Sequence, residues 1–193
     1  MSTTEKCIYL TFDDGPIPEV TDWVLKELEK FNAKATFFCI GNNIEKHPVV
    51  FQKIVSGGHQ VGNHTYHHVK GWKVNLKTYK ENVLSTEKII QKKIGTSPKL
   101  FRPPFGKIKF SQSKLLRDLG YKIIMWDVLS ADFDLNTTEE KCLSNVLDNI
   151  GNGSIVVFHD SLKAANKMKY ALPTVLKHFS EKGFVFKSLK QLV

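Results

Sequence analysis

The chain has 193 residues, 41% of them hydrophobic and 24% charged, which gives room for one domain (residues 1–193) with a sizeable core and gives no sign of disorder. Its 28 Lys and Arg against 19 Asp and Glu give a net charge of +9. That charge favours acidic partners, yet the lysines are scattered along helical stretches, as at Lys77, Lys80, Lys88, Lys92 and Lys93, where a solvated face accounts for them without nucleic acid. No run of about 18 apolar residues occurs, so no transmembrane segment is expected. The opening Met1–Lys6 lacks the apolar core of a signal peptide, which predicts cytoplasmic residence, or export if a leader is missing from the sequence. Cys7, Cys39 and Cys142 lie in or beside apolar runs without CxxC spacing and read as buried free thiols.

The first element is an apolar run, Ile8-Tyr9-Leu10-Thr11-Phe12, that reads as a buried strand and ends in Asp13-Asp14-Gly15-Pro16. Residues 18–31 then carry Val20, Val24, Leu25, Leu28 and Phe31 at helical spacing, and 35–40 is a short strand stopped by Gly41. Asn43 or Pro48 opens a helix that ends at Gly57-Gly58. Residues 60–63 form a brief strand before a histidine-rich loop, and a longer helix runs over about 76–94 to Gly95. The second half repeats the pattern: strand 100–102, helix 111–119, strand 122–126, a helix capped at Thr137-Thr138-Glu139-Glu140 and running to Ile150, and strand 154–158. A last helix starts at Pro173, and strand 184–186 follows.

About seven alternations of strand and helix argue for a parallel α/β sheet with covering helices. An eight-fold barrel needs about 250 residues, so the expectation is a shorter or incomplete barrel, with an open doubly wound sheet as rival. Both architectures place ligands at the C-terminal ends of the strands. The unusual polar residues fall near those ends: Asp13 and Asp14, His64, Arg102, Asp127 and Asp132, His159 and Asp160. Asp13 and Asp14 can serve one site only if the chain leaves the pleat at Gly15-Pro16; otherwise they merely decorate a turn. His64 and His68, four apart, share a face on a helical turn, where they could hold one metal with a carboxylate from Asp13 or Asp14, leaving positions open for water. His67 points elsewhere.

Four motifs, Thr11-Phe12-Asp13-Asp14-Gly15, His64-Thr65-Tyr66-His67-His68, Arg102-Pro103-Pro104-Phe105-Gly106 and Val156-Val157-Phe158-His159-Asp160, stand in the order found in polysaccharide deacetylases with the NodB-homology domain, carbohydrate esterase family 4. The chain resembles that family from about Cys7 to Val193. The resemblance implies a distorted (β/α) barrel and metal-assisted removal of acetyl groups from glycans of the chitin oligosaccharide or peptidoglycan type. It implies Asp14, His64 and His68 as metal ligands, Asp13 as general base, Arg102 as its partner, and His159 as general acid paired with Asp132. The backbone N–H of Phe105, where the family often has tyrosine, would face the oxyanion. Zn2+ suits such ligands, and Co2+, Ni2+ or Mn2+ also fit.

The family's Asp-x-x-Asp-Trp becomes Leu129-Ser130-Ala131-Asp132-Phe133 here, which loses one carboxylate and the indole. Val156 and Phe133 are candidates for a small acetyl pocket. Trp72 is either a sugar-stacking residue or a core tryptophan. An acetyl ester hydrolase acting on xylan and a non-catalytic glycan-binding module are the alternatives to an N-deacetylase, and oligomeric state is not legible.

Overall fold

The computed structural model describes residues 5–191. The first four residues, on which most of the reading of a missing leader rests, lie outside that range. The strands are β1 (Cys7–Asp13), β2 (Thr36–Cys39), β3 (Gln60–Asn63), β4 (Leu100–Phe101), β5 (Lys122–Ile123), β6 (Val128–Leu129), β7 (Ile155–His159) and β8 (Val185–Phe186). The helices are α1 (Val20–Glu29), α2 (Gly41–Lys46), α3 (Pro48–Ser56), α4 (Leu76–Ile94), α5 (Phe110–Asp118), α6 (Glu139–Leu147) and α7 (Ala165–Glu181). One sheet runs β5-β4-β3-β2-β1-β7-β6 with every pairing parallel, and β8 pairs with the start of β1. This is the incomplete, distorted α/β barrel expected, with eight strands where about seven were counted.

The alternation of β1 organises the interior. Ile8, Leu10 and Phe12 face the helix layer and join Val24, Leu28, Val175 and Leu176 in the main core, where Phe12 stacks between Phe37 and Phe158 at 5.0 and 6.1 Å. Tyr9 faces into the curl with Phe38, Leu100, Ile124 and Leu189. Thr11 and Asp13 continue that inner face by the two-residue period of a strand. Asp13 therefore emerges at the C-terminal mouth of the barrel, opposite His159 in the register of β1 with β7.

Several elements depart from the reading of the sequence. The single helix expected to open at Asn43 or Pro48 is two, α2 and α3, separated at His47. The strand expected over 122–126 ends at Ile123, and the few residues after it lead to β6, the far edge of the sheet, across a seam where no ladder forms. The Ile124 and Met125 carbonyls accept instead from Arg102 Nε and Nη2, at 3.2 and 3.1 Å. Pro173 does not open the last helix but lies inside α7. The apolar stripe Ala165, Met168, Leu172, Val175, Leu176 and Phe179 runs through it, and burial of that face outweighs the roughly 3 kcal/mol that an interior proline costs. The helix over 76–94 has the ends expected, with Asn75 accepting from the Thr78 N–H and Gly95 at φ 78°. Among the described residues no helix is long and apolar enough to cross a membrane, and all three cysteines are free.

Candidate functional site

The chain leaves the pleat directly after β1. Asp14 has φ 83°, so its carboxylate turns to the same side as that of Asp13. Three bonds fix this turn: the Gly15 N–H donates to Asp160 Oδ1 at 2.9 Å, the Ile40 N–H donates to the Gly15 carbonyl at 3.0 Å, and Asn43 Nδ2 donates to the Asp14 carbonyl at 2.8 Å. A Cβ at position 15 would lie 2.0 Å from Asp160 Oδ2, which explains the glycine. Asp160 is fully buried and also accepts from the Thr21 hydroxyl at 2.6 Å. Burial pushes its carboxyl up to about 8 in spite of those donors. Its role as the brace of the Asp13-Asp14 turn was not legible; its position beside His159 was the only signal.

The two histidines meet by another route than a helical turn. His64 follows β3 directly, and the loop beyond it passes through left-handed residues, Thr65 at φ 64° and His68 at φ 51°. Asn63 Oδ1 takes the Thr65 N–H, and Thr65 Oγ1 takes the Val69 N–H. These side chains supply the partners that a helical ladder would have given, and they bring the two rings to 5.0 Å. His64 Nδ1 lies 2.8 Å from the Arg102 carbonyl, which can only accept. Nδ1 therefore carries the proton, and the Nε2 lone pair faces the carboxylates. His67 is exposed and turned away against Tyr66.

Asp14 Oδ1 is 3.4 Å from His68 Nε2 and 3.7 Å from His64 Nε2. It is buried and has no hydrogen-bond partner among the described residues. Asp14, His64 and His68 each offer a ligand atom within 4.8 Å of the others. A tetrahedral ion with bonds of about 2.0–2.1 Å sets its ligands roughly 3.3 Å apart, so these atoms could hold a divalent cation, which would supply the partner that the orphan oxygen lacks. Burial, helped by His64 alongside, pushes His68 down to about 4, which keeps it neutral as a ligand must be.

Around this trio stand two ion pairs, one fully buried and one partly buried. Arg102, fully buried, donates through Nη1 to Asp13 Oδ1 at 2.8 Å and to Thr11 Oγ1 at 2.6 Å, and its guanidinium lies 4.2 Å over the Phe38 ring. Burial alone would raise the Asp13 carboxyl, but the Arg102 charge and then the neighbouring histidines hold it below the ordinary range. Across the mouth, His159 Nδ1 is 2.7 Å from Asp132 Oδ1, and the His159 N–H donates to Asp132 Oδ2 at 2.7 Å. Burial works to lower His159, but the hydrogen bond and charge of Asp132 prevail and raise it to about 9.

The rim is aromatic. Phe105 stacks obliquely on His68 at 4.6 Å, Trp72 meets Phe105 edge-on at 5.4 Å, and Phe133 meets His159 edge-on at 4.9 Å. Trp72 is 39% exposed, which decides between its two readings in favour of a surface position. Phe105 has φ 61° inside the short turn Pro104–Gly106, and a side chain on Gly106 would strike Trp126 at 2.6 Å. Val156 is not at the rim. It is fully buried in the core between sheet and helices, on the opposite face of β7 from His159, as the strand period requires. Asp127 is also elsewhere: it accepts from the Ile155 N–H and the Ser154 hydroxyl at the start of β7, the far end of the barrel.

Residues 1–124 match the family described as Polysaccharide deacetylase. A peptidoglycan-N-acetylglucosamine deacetylase of Bacillus cereus is 38% identical over 154 residues, covering 80% of this chain and 56% of the relative. Another protein of that name from the same organism is 32% identical over 190 residues, covering 98% of this chain and 89% of the relative. A crystal structure of a peptidoglycan N-acetylglucosamine deacetylase with a bound benzamide compound superposes with a TM-score of 0.92 at 34% identity, over 97% of this chain and 88% of that one. The chain belongs to the polysaccharide deacetylase family, the NodB-homology group known as carbohydrate esterase family 4.

Proposed function

We propose that this chain is a metal-dependent hydrolase that removes N-acetyl groups from N-acetylglucosamine-containing glycans of the peptidoglycan type. The observation that carries the proposal is the meeting, at one strand-end mouth, of an unpartnered Asp14 carboxylate with two histidine nitrogens, flanked by a base held ionised and an acid held protonated. The names of the relatives support the choice of glycan.

Asp14, His64 and His68 would hold the divalent cation, Zn2+ by ligand type, with Co2+, Ni2+ or Mn2+ as substitutes. Such an ion supplies Lewis acidity: it lowers the pKa of a water to about 7 and polarises the acetyl carbonyl. Asp13, kept ionised by Arg102, takes the proton of the attacking water. The Phe105 N–H, presented by its left-handed turn, faces the developing oxyanion. His159, charged at neutral pH through Asp132, gives its Nε2 proton to the departing amine, and acetate and a free amino sugar result. Phe105, Trp72 and Phe133 pack on the sugar. Asp13→Asn should leave binding of one metal ion per chain intact and abolish acetate release; turnover at the wild-type rate would remove Asp13 as base.

A further inference from the structure

The aromatic side of the mouth carries two ammonium groups that the reaction does not use. Lys70 Nζ lies 5.5 Å over the Phe105 ring, and Lys107 Nζ lies 5.3 Å over the Trp72 ring. Both side chains are exposed, and among the described residues neither forms an ion pair. The acids nearest the reaction are already assigned: Asp13 is paired with Arg102, and Asp14 belongs to the metal trio. Ring faces hold an ammonium in place while leaving some of its N–H donors free. From the metal trio outward, His68, Phe105 and Trp72 are successive contacts, so both charges sit beside the surface on which sugars would stack.

We infer that Lys70 and Lys107 form a cationic flank that makes this site select glycans bearing carboxylates next to the acetamido sugar over neutral ones. The inference rests on the deacetylase reading above. A carboxylate so placed has two sources: an ether-linked acid on a sugar of the strand, or a peptide attached to that acid, which consumes the first carboxylate in an amide and offers its own. A charge-assisted hydrogen bond serves either.

The test measures kcat and KM on neutral N-acetylglucosamine oligomers, on peptide-free strands with ether-linked acids, and on strands carrying peptide. The proteins are the metal-loaded wild type, the Lys70→Met/Lys107→Met double variant and the Lys70→Arg/Lys107→Arg pair. Exposed charge pairs of ordinary strength predict that the double Met variant loses roughly three- to tenfold of the KM preference for a carboxylate-bearing strand while kcat on that strand is kept. The Arg pair should retain the preference. About 1 M salt, where the Debye length is about 3 Å, should erase it in the wild type. Loss on peptide-free strands assigns the ether-linked acid, and loss on peptide-bearing strands alone assigns the peptide. A preference unmoved by the Met pair overturns the inference. If no glycan is deacetylated, the deacetylase reading falls separately, and the affinities of wild type and Met pair for the same strands decide whether the flank binds carboxylates.

Discussion

Arg102→Met removes the most connected side chain of the site without opening a large cavity. Arg102 is fully buried and donates to Asp13, Thr11, and the Ile124 and Met125 carbonyls at the unpaired seam between β5 and β6. Removing one member of a buried pair costs about 3–5 kcal/mol, because the other charge is left unpaired in a poorly solvated site. Each stranded carbonyl adds about 1–3 kcal/mol unless water reaches it. Against a total stability of about 5–15 kcal/mol this is severe, and at roughly 2–4 °C per kcal/mol it lowers Tm by at least about 6 °C. The pH dependence identifies the cause. In the wild type, Arg102 keeps the folded-state pKa of Asp13 below its unfolded value, so the stability from this pair is present above the unfolded pKa and is lost as pH falls through the folded one. Without Arg102, burial raises the folded pKa above the unfolded value. The deficit of the variant then grows as pH rises between those two values and shrinks in acid, where Asp13 is neutral. Thermal unfolding in chelator across pH 4–8, for wild type, Arg102→Met, Asp13→Asn and the double variant, measures this. The double variant should be more stable at pH 7 than Arg102→Met alone. A deficit equal at pH 4 and pH 8, unrelieved by Asp13→Asn, would refute the reasoning.

His159, raised to about 9, sets an alkaline limb: amide hydrolysis should fall as pH climbs through that value, and Asp132→Asn should move the limb to lower pH, read from the pH profile of kcat/KM. His159→Ala should cost about 10²–10⁴ in rate on an N-acetyl substrate and less on an acetyl ester, whose alkoxide can depart before it is protonated; equal losses on both would remove His159 as the acid. Asp160→Ala strands the Gly15 N–H and Thr21 hydroxyl at about 1–3 kcal/mol each and should loosen the Asp14 turn, weakening metal affinity measured by calorimetry. Asp160→Asn should instead be tolerated, with an advantage in Tm over the wild type that grows from pH 5 to pH 8. The buried wild-type carboxyl, with its pKa near 8, loses stability as pH rises above its unfolded value.

Much of this site was legible because its chemistry sits where strands stop. Asp13, Asp14 and His159 lie at or next to the ends of β1 and β7, whose hydrophobic pattern is local and strong, His64 and Arg102 follow the short strands β3 and β4, and Gly95 marks the end of α4 in the same local way. The misreadings involve forces absent from a local window. β6 is two residues long and exists only through its pairing with β7, and Pro173 is tolerated because α7 buries a continuous face. His64 and His68 converge through left-handed backbone stabilised by Asn63 and Thr65 side chains, so the four-residue spacing pointed to two histidines that do meet, but by another geometry than a helical turn. Val156 was placed one residue out of phase: the strand period puts Val157 and His159 on the inner face and Val156 on the outer. Lys70 and Lys107, lost among 28 basic residues, stand out only once the rings beneath them are known.

The most direct test of the central claim titrates metal-stripped protein with Co2+ or Zn2+ while following acetate release from N-acetylglucosamine-containing strands. The proposed metal site predicts release that saturates at one ion per chain, is lost in Asp14→Ala, His64→Ala and His68→Ala together with the bound ion, and is kept in His67→Ala. Full release in chelator, or an ion retained with equal affinity by all three ligand variants, would contradict it.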